Sequence, residues 1–245
     1  MNGLPFTLIL DDESTGLGDA ALRLLRLGVD VFYANDPDEA IVFCSQPEAR
    51  RVRAVLFPEG LATDALERVV SRLPATAEGA GPSLVAVGEL ADEQRVVELR
   101  KVGAERALRP PFDDATLRWV VNAARFEHDH EPKRRHTRAP TNLLARASWG
   151  LKRKDLVCSS LSPGGAFLET PSPLDQGARI KLKLPLPSGT VTVKAVVANR
   201  SEGRGEGTPA ELRPPGMGVT FLDPGEAERA ALADYVQTRL AEFSL

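Results

Sequence analysis

The sequence predicts two domains, a parallel α/β domain followed by a small β-barrel or β-sandwich domain with a terminal helix. In the first half, short apolar runs alternate with helical segments, which is typical of a parallel sheet covered by helices. In the second half, short strands are separated by prolines and glycines, as in a barrel or sandwich. The formal charge reverses from -9 over residues 1–132 to +6 over residues 133–245, which together give the -3 of the whole chain. We therefore predict a domain over residues 1–126, a linker and basic arm over 127–140, and a second domain over 141–245.

The elements of the first domain follow from apolar runs and capping residues. Thr7–Leu10 is a continuous apolar run, as expected for a strand that is buried on both faces. Gly28 is a good helix terminator, and Asp36-Pro37 combines a capping side chain with a proline suited to the first helical position. The predicted strands are Thr7–Leu10, Val29–Tyr33, Val52–Phe57, Ser83–Val87 and Arg106–Leu108, and the predicted helices are Ala20–Leu27, one that opens at Asp36, Thr63–Leu73, Asp92–Val102 and Asp114–Phe126.

Five such strand–helix units, with Asp11-Asp12 after the first strand and Pro110–Asp113 after the fifth, resemble the receiver domain of response regulators. The resemblance implies a flavodoxin-like fold. Receiver chemistry requires an acidic pair for Mg²⁺, an Asp nucleophile after the third strand, a hydroxyl after the fourth and a lysine after the fifth. Asp11 and Asp12 can supply the acidic pair, although loop solvation or a helix-end charge is the favoured interpretation.

The other receiver residues are missing. Pro58 stands at the nucleophile's place, Val87-Gly88 offers no hydroxyl, and Arg109-Pro110-Pro111 puts proline where the lysine belongs. Glu59 is the one nearby acid that could restore activity. Because proline cannot attack phosphorus, we predict a degenerate pseudo-receiver that is used for its surface, with neither a catalytic residue nor a bound metal.

A basic arm and a glycine-rich turn are the strongest candidates for a binding site. The run from Lys133 to Arg138 places four cations in six residues. Arg134 and Arg138 are four residues apart, so that two planar guanidinium groups can close on one anion from the same side. About twenty residues later, the polar turn Ser160-Leu161-Ser162-Pro163-Gly164-Gly165 follows a strand-like run.

These two segments resemble the PilZ domain, the bacterial receptor for cyclic di-GMP. Arg134 and Arg138 match its Arg-x-x-x-Arg motif, and Ser162 and Gly165 match two positions of its Asp/Asn-x-Ser-x-x-Gly motif. Ser160 departs from the family, because it stands where Asp or Asn is usual. The resemblance covers residues 133 to about 240. It implies a six-stranded barrel and a cyclic di-GMP site formed by Arg134, Arg138, Ser160, Ser162 and Gly165.

The remaining strands and the last helix fit such a barrel. Asp223-Pro224-Gly225-Glu226 is a clean helix start, with a cap, a proline and an acid in order. One helical face carries Leu232, Tyr235, Val236, Leu240 and Phe243, which either packs on the barrel or pairs with another protein. Residues Ser201 to Pro215, rich in glycine and proline, are expected to form an excursion between strands. The predicted strands are Asn142–Trp149, Asp155–Ser160, Ala166–Glu169, Arg179–Leu184 and Val191–Asn199, and Pro215–Phe221 resembles the last strand of the PilZ family.

Cysteine use and hydropathy predict a soluble cytoplasmic protein. The two cysteines, Cys44 and Cys158, fall in separate halves, which argues against a disulfide framework. Neither a signal peptide nor an apolar run of about 20 residues is visible, so no membrane partner is expected. His128 and His130 lie two residues apart with no third ligand nearby, which favours a solvated linker over a metal site.

Three functional hypotheses follow. The first is a cyclic di-GMP-responsive regulator that passes ligand state to a protein partner through the pseudo-receiver or barrel surface. The second is a degenerate interaction module that binds no nucleotide, and the Ser160 departure is its main support. The third, an enzyme, is disfavoured because no set of nucleophile, base and orienting residue is visible. No cofactor and no nucleic-acid polymer are expected as partners, and the oligomeric state stays open.

Overall fold

In the computed structural model of the chain, residues 5–12, 16–74, 81–126, 137–202 and 214–245 are described. The chain divides into two compact units, of which the first comprises Met1–Glu131 together with Glu242–Leu245 and the second Pro132–Ala241. Arg134, His128 and His130 lie outside the described residues, as does most of the predicted excursion from Ser201 to Pro215. Within the described part of the chain, no helix combines the length and the apolar character needed to cross a bilayer.

The first unit contains a five-stranded parallel sheet, as predicted. The strands are β1 (Phe6–Leu10), β2 (Asp30–Ala34), β3 (Val52–Pro58), β4 (Ser83–Val87) and β5 (Ala104–Leu108), and the helices are α1 (Leu17–Leu27), α2 (Pro37–Cys44), α3 (Thr63–Val70), α4 (Glu93–Lys101) and α5 (Asp114–Phe126). The strand order across the sheet is β2-β1-β3-β4-β5. Its strands are apolar because helices cover the sheet, and the side chains of Leu8, Ile9 and Leu10 are fully buried. Helix α1 contacts α5, and α2 contacts α3.

The helix ends of this unit follow the predicted capping residues closely. Gly28 takes a left-handed conformation with φ of 84° at the end of α1, and Asp36 Oδ1 accepts the backbone N–H of Glu39 at 2.8 Å at the start of α2. Helix α3 ends three residues earlier than predicted. A 3₁₀ helix at Pro47–Arg51 was not predicted, since a single turn is too short to show a hydrophobic period.

The last four residues belong to the first unit, whereas the predicted division assigned them to residues 141–245. Ser244 forms an antiparallel bridge with Arg106 on the free edge of β5. The ring of Phe243 packs against Trp119 of α5 with 5.2 Å between ring centroids, so it does not share the helical face on which the periodicity placed it. That placement was wrong because the helix ends at Ala241.

The second unit contains a closed six-stranded barrel, the fold that the family resemblance implied. The strands are β6 (Ala139–Trp149), β7 (Lys152–Ser162), β8 (Gly165–Glu169), β9 (Arg179–Leu186), β10 (Gly189–Glu202) and β11 (Pro215–Leu222). The strand order around the barrel is β10-β11-β8-β7-β6-β9. Ile180, Leu182 and Leu184 are buried inside it while Lys181 and Lys183 are exposed, which confirms the predicted alternation.

Helix α6 (Glu226–Ala241) closes the second unit. Its buried residues Leu232 and Val236 join the apolar core of the barrel. The hydroxyls of Tyr235 and Thr141 are hydrogen-bonded at 2.8 Å, which fixes the helix to β6. Strand β6 begins at Ala139, inside the segment predicted as linker and arm, so Arg138 immediately precedes the barrel wall.

Candidate ligand-binding site

A cavity of about 860 Å³ opens where the β7–β8 turn, the end of β11 and the start of α6 meet. This volume lies within the range of small-molecule sites in proteins. Its lining comes from four segments that are distant in sequence, namely the residue before β6, the turn, the strand end and the helix start. The lining residues are Arg138, Ser162, Pro163, Gly164, Gly165, Val219, Thr220, Phe221, Asp223, Pro224, Arg229 and Ala233.

The structure thus brings together three of the five residues that the motifs singled out, Arg138, Ser162 and Gly165. Arg134 lies outside the described residues. Ser160 is half-buried in β7 and is not among the residues that line the cavity. Its carbonyl oxygen instead accepts a hydrogen bond from Cys158 Sγ at 3.5 Å.

Ser162 and Gly165 shape the turn itself. The buried Ser162 hydroxyl donates to the carbonyl oxygen of Gly165 at 3.1 Å. A Cβ atom added at Gly165 would lie 2.3 Å from the carbonyl oxygen of Val219, so glycine is required for the close approach of β8 and β11. The backbone N–H of Phe221 donates to the carbonyl oxygen of Gly164 at 2.9 Å and ties β11 to the turn. Gly165 therefore permits the close packing of these two strands, and it also lines the cavity.

The charges of the cavity are mainly positive. Arg138 is half-buried and Arg229 is exposed, while Asp223 is the one acid of the lining. The positive charge of Arg138 also acts on Cys158: burial raises the pKa of this thiol to about 12, and Arg138 and a backbone hydrogen bond offset part of that effect. A cavity with two guanidinium groups and one carboxylate favours an anionic ligand.

Arg229 also lines the cavity and was not predicted as a site residue. It lies in the first turns of α6, where its backbone N–H donates to the carbonyl oxygen of Gly225 at 3.0 Å. Helix N-termini carry a partial positive charge, so a cation there is unfavourable unless an anion is nearby. A cation in the opening turns of a helix was the signal that could have identified it, although Glu226 and Glu228 beside it obscure that signal.

The receiver-like unit offers no comparable arrangement among its described residues. Asp11 is buried, and its Oδ2 accepts the Tyr33 hydroxyl at 2.5 Å, so loop solvation was the wrong expectation for this residue. Strand β3 ends at Pro58, one residue beyond the predicted strand, and so places proline at the strand end. The Glu59 carboxylate accepts the backbone N–H groups of Glu89 and Leu90, which occupies the one acid near the nucleophile's place. Within the described ranges, no group of three or more His, Cys, Asp or Glu residues could hold a metal ion.

Comparison with known proteins identifies the second unit. Residues 132–238 match the family model of the PilZ domain, so this part of the chain is a PilZ domain. No curated protein matches the chain.

Several solved structures resemble one unit or the other. The inhibitor of motility MotI/DgrA from Bacillus subtilis is 17% identical with a TM-score of 0.38, and the match covers 44% of this chain and 51% of that one. The PilZ domain of YcgR from Escherichia coli, solved with c-di-GMP, is 19% identical with a TM-score of 0.37 and coverages of 45% and 93%. The chemotaxis protein CheY4 from Vibrio cholerae is 18% identical with a TM-score of 0.41 and coverages of 50% and 99%.

Proposed function

We propose that the PilZ domain of this chain binds cyclic di-GMP in the cavity. We further propose that the protein is a non-enzymatic regulator that passes ligand state to a protein partner. The observation that carries the proposal is the convergence of Arg138, the turn from Ser162 to Gly165 and Arg229 on one cavity inside the matched residues.

The chemistry of the ligand fits these groups. Cyclic di-GMP has two phosphates, and each guanidinium group can bind a phosphate through two parallel N–H···O bonds or stack on a guanine. Arg138 and Arg229 line the cavity, and the N-terminal end of α6 adds a partial positive charge. In the proposal, Arg134, four residues before Arg138, is a second arginine of the arm that binds the ligand.

The departure at Ser160 lowers the expected affinity. In the family, an Asp or Asn at this position accepts N–H donors of guanine, whereas a serine hydroxyl is shorter and uncharged. Loss of one charge-assisted hydrogen bond costs about 1.5–3 kcal/mol. This corresponds to roughly a ten- to hundredfold loss in affinity. We therefore propose a receptor that keeps the electrostatic attraction for phosphate and loses part of its selectivity for guanine.

In the proposal, ligand binding is signalled by a change in the electrostatic repulsion within the basic arm. The cations of residues 133–138 repel one another in the absence of an anion. Ligand phosphates would offset that repulsion, so the arm has a ligand-free state and a ligand-bound state. A partner protein that binds one of these two states more tightly would shift the equilibrium between them. The pseudo-receiver contributes surface for this partner in the proposal, because Pro58 leaves it without a phosphoryl-accepting aspartate.

A second candidate function is an interaction module that binds no nucleotide. Two observations favour it. Ser160 lacks the acceptor of the family motif and lies outside the cavity lining, and the Ser162 hydroxyl is already engaged with the carbonyl oxygen of Gly165.

Isothermal titration calorimetry with cyclic di-GMP separates the two candidates. The arginine variants Arg134→Ala and Arg138→Ala should each weaken binding by about tenfold or more, because each removes a charged donor. Ser160→Asp should strengthen it by about tenfold through the restored acceptor, less than a full charge-assisted bond because a second anion approaches the phosphates. Arg179→Ala, an exposed arginine on β9 away from the cavity, is the matched control and should bind as the wild type does. An affinity for cyclic di-GMP that is unchanged in both Arg134→Ala and Arg138→Ala would show that the binding site lies elsewhere.

A further inference from the structure

A short extended segment, residues Glu242–Leu245, pairs with the outer edge of β5. The backbone N–H of Ala107 donates to the carbonyl oxygen of Phe243 at 2.9 Å, and the N–H of Leu245 donates to the carbonyl oxygen of Glu105 at 3.2 Å. These are the outward-facing groups of β5, the last strand of the sheet order. The guanidinium group of Arg109 also donates to the carbonyl oxygen of Glu242. Residues Glu242–Leu245 therefore extend the parallel sheet by one antiparallel segment.

Side chains of this segment alternate as they do in a strand. Phe243 is 6% exposed, with its ring tilted by 44° against Trp119. Leu245, two residues on, packs against the apolar core of the first unit. Ser244 between them is exposed. An extended segment that adds to a sheet edge takes its affinity from main-chain hydrogen bonds and its specificity from the pockets for alternate side chains.

We propose that the outer edge of β5 and the adjacent face of Trp119 form a binding site for an extended peptide with an aromatic residue followed two positions later by an aliphatic one. The occupant in this chain is its own C-terminal segment Phe243-Ser244-Leu245, bound in cis. Two main-chain hydrogen bonds to β5, the hydrogen bond from Arg109 to the carbonyl oxygen of Glu242 and one buried ring hold this segment, and a short segment added at a sheet edge opens more readily than the central strands of a fold. The segment thus acts as a releasable strand that covers the edge against other extended segments.

The test is binding of a labelled peptide with the sequence of residues 239–245 and a free carboxyl terminus, measured by fluorescence anisotropy. The Phe243→Ala variant, in which the ring that anchors the segment is absent, should bind the peptide. The wild type and the matched control Ser244→Ala, whose side chain is exposed, should bind it about tenfold more weakly or not at all, because their own segment occupies the edge. A chain that ends at Ala241 provides a second test with the edge vacant, once circular dichroism shows it to be folded.

Three results would overturn the proposal. The first is failure of both the Phe243→Ala protein and the chain ending at Ala241 to bind the peptide. The second is equal binding of a control peptide with alanine at the position of Phe243, because the pocket at Trp119 would then have no role. The third is a dimeric wild type that becomes monomeric when residues 242–245 are removed, since the segment would then bind in trans to a second copy.

Discussion

Replacing Gly165 by alanine tests the account of the turn that borders the cavity. The added Cβ would lie 2.3 Å from the carbonyl oxygen of Val219, a distance that real Cβ atoms essentially never show, and the neighbouring atom belongs to the backbone of β11. Strands β8 and β11 would have to separate, and such overpacking typically costs about 1–3 kcal/mol. A loss of 1 kcal/mol lowers the melting temperature of a domain of about 100 residues by about 4–8 °C. We expect the barrel transition in differential scanning calorimetry to fall by about 5–20 °C.

Gly60→Ala is the matched control, because a Cβ added there meets nothing within 4 Å. This variant should melt like the wild type. The calorimetric result for Gly165→Ala also separates two roles for the glycine. A variant that keeps the wild-type melting temperature and loses only cyclic di-GMP binding would refute the packing argument and show that Gly165 serves the approach of a ligand.

Three further predictions concern other sites. The first domain should accept no phosphoryl group at an aspartate, because Pro58 ends β3. The measurement is the intact mass after incubation with acetyl phosphate and Mg²⁺, and a stoichiometric base-labile adduct of about +80 Da would contradict the prediction. Burial raises the pKa of Cys158 to about 12, so this thiol should stay protonated at pH 8 and react with Ellman's reagent only when the protein unfolds. Rapid labelling of Cys158 in the native protein would show that the thiol is not buried. Arg229→Ala should weaken cyclic di-GMP binding by about tenfold, whereas Arg179→Ala should not, and calorimetric titration of the two variants distinguishes a cavity residue from a solvated one.

Most of the fold could be predicted from the sequence, because the spacing of apolar residues and the capping residues determine local structure. Continuous apolar runs identified the parallel strands, and the alternation of Ile180, Leu182 and Leu184 with lysines identified a barrel strand. Phe243 is one exception. Its spacing from Val236 and Leu240 continues a helical face, but the chain leaves the helix after Ala241. The surface that binds the ring belongs to a helix more than a hundred residues earlier, which no local pattern encodes.

The candidate site was predicted in part for a similar reason. The motif residues Arg138, Ser162 and Gly165 are recognisable by spacing, and the fold brings them to one cavity. Arg229 resembles a solvated helical residue until the start of α6 is placed beside the β7–β8 turn. The contact between Gly165 and Val219 depends on the pairing of β8 with β11, which is a long-range property of the closed barrel.

The most direct test of the central proposal is titration of the intact wild-type protein with cyclic di-GMP, with linear GMP as the competitor control. The account predicts saturable binding that weakens as salt is raised, because Arg138 and Arg229 supply charge to the cavity. It also predicts that linear GMP competes poorly, since one phosphate and one base engage only part of the site. Absence of binding in the wild type, with none gained in Ser160→Asp, would contradict the receptor proposal and leave the interaction module.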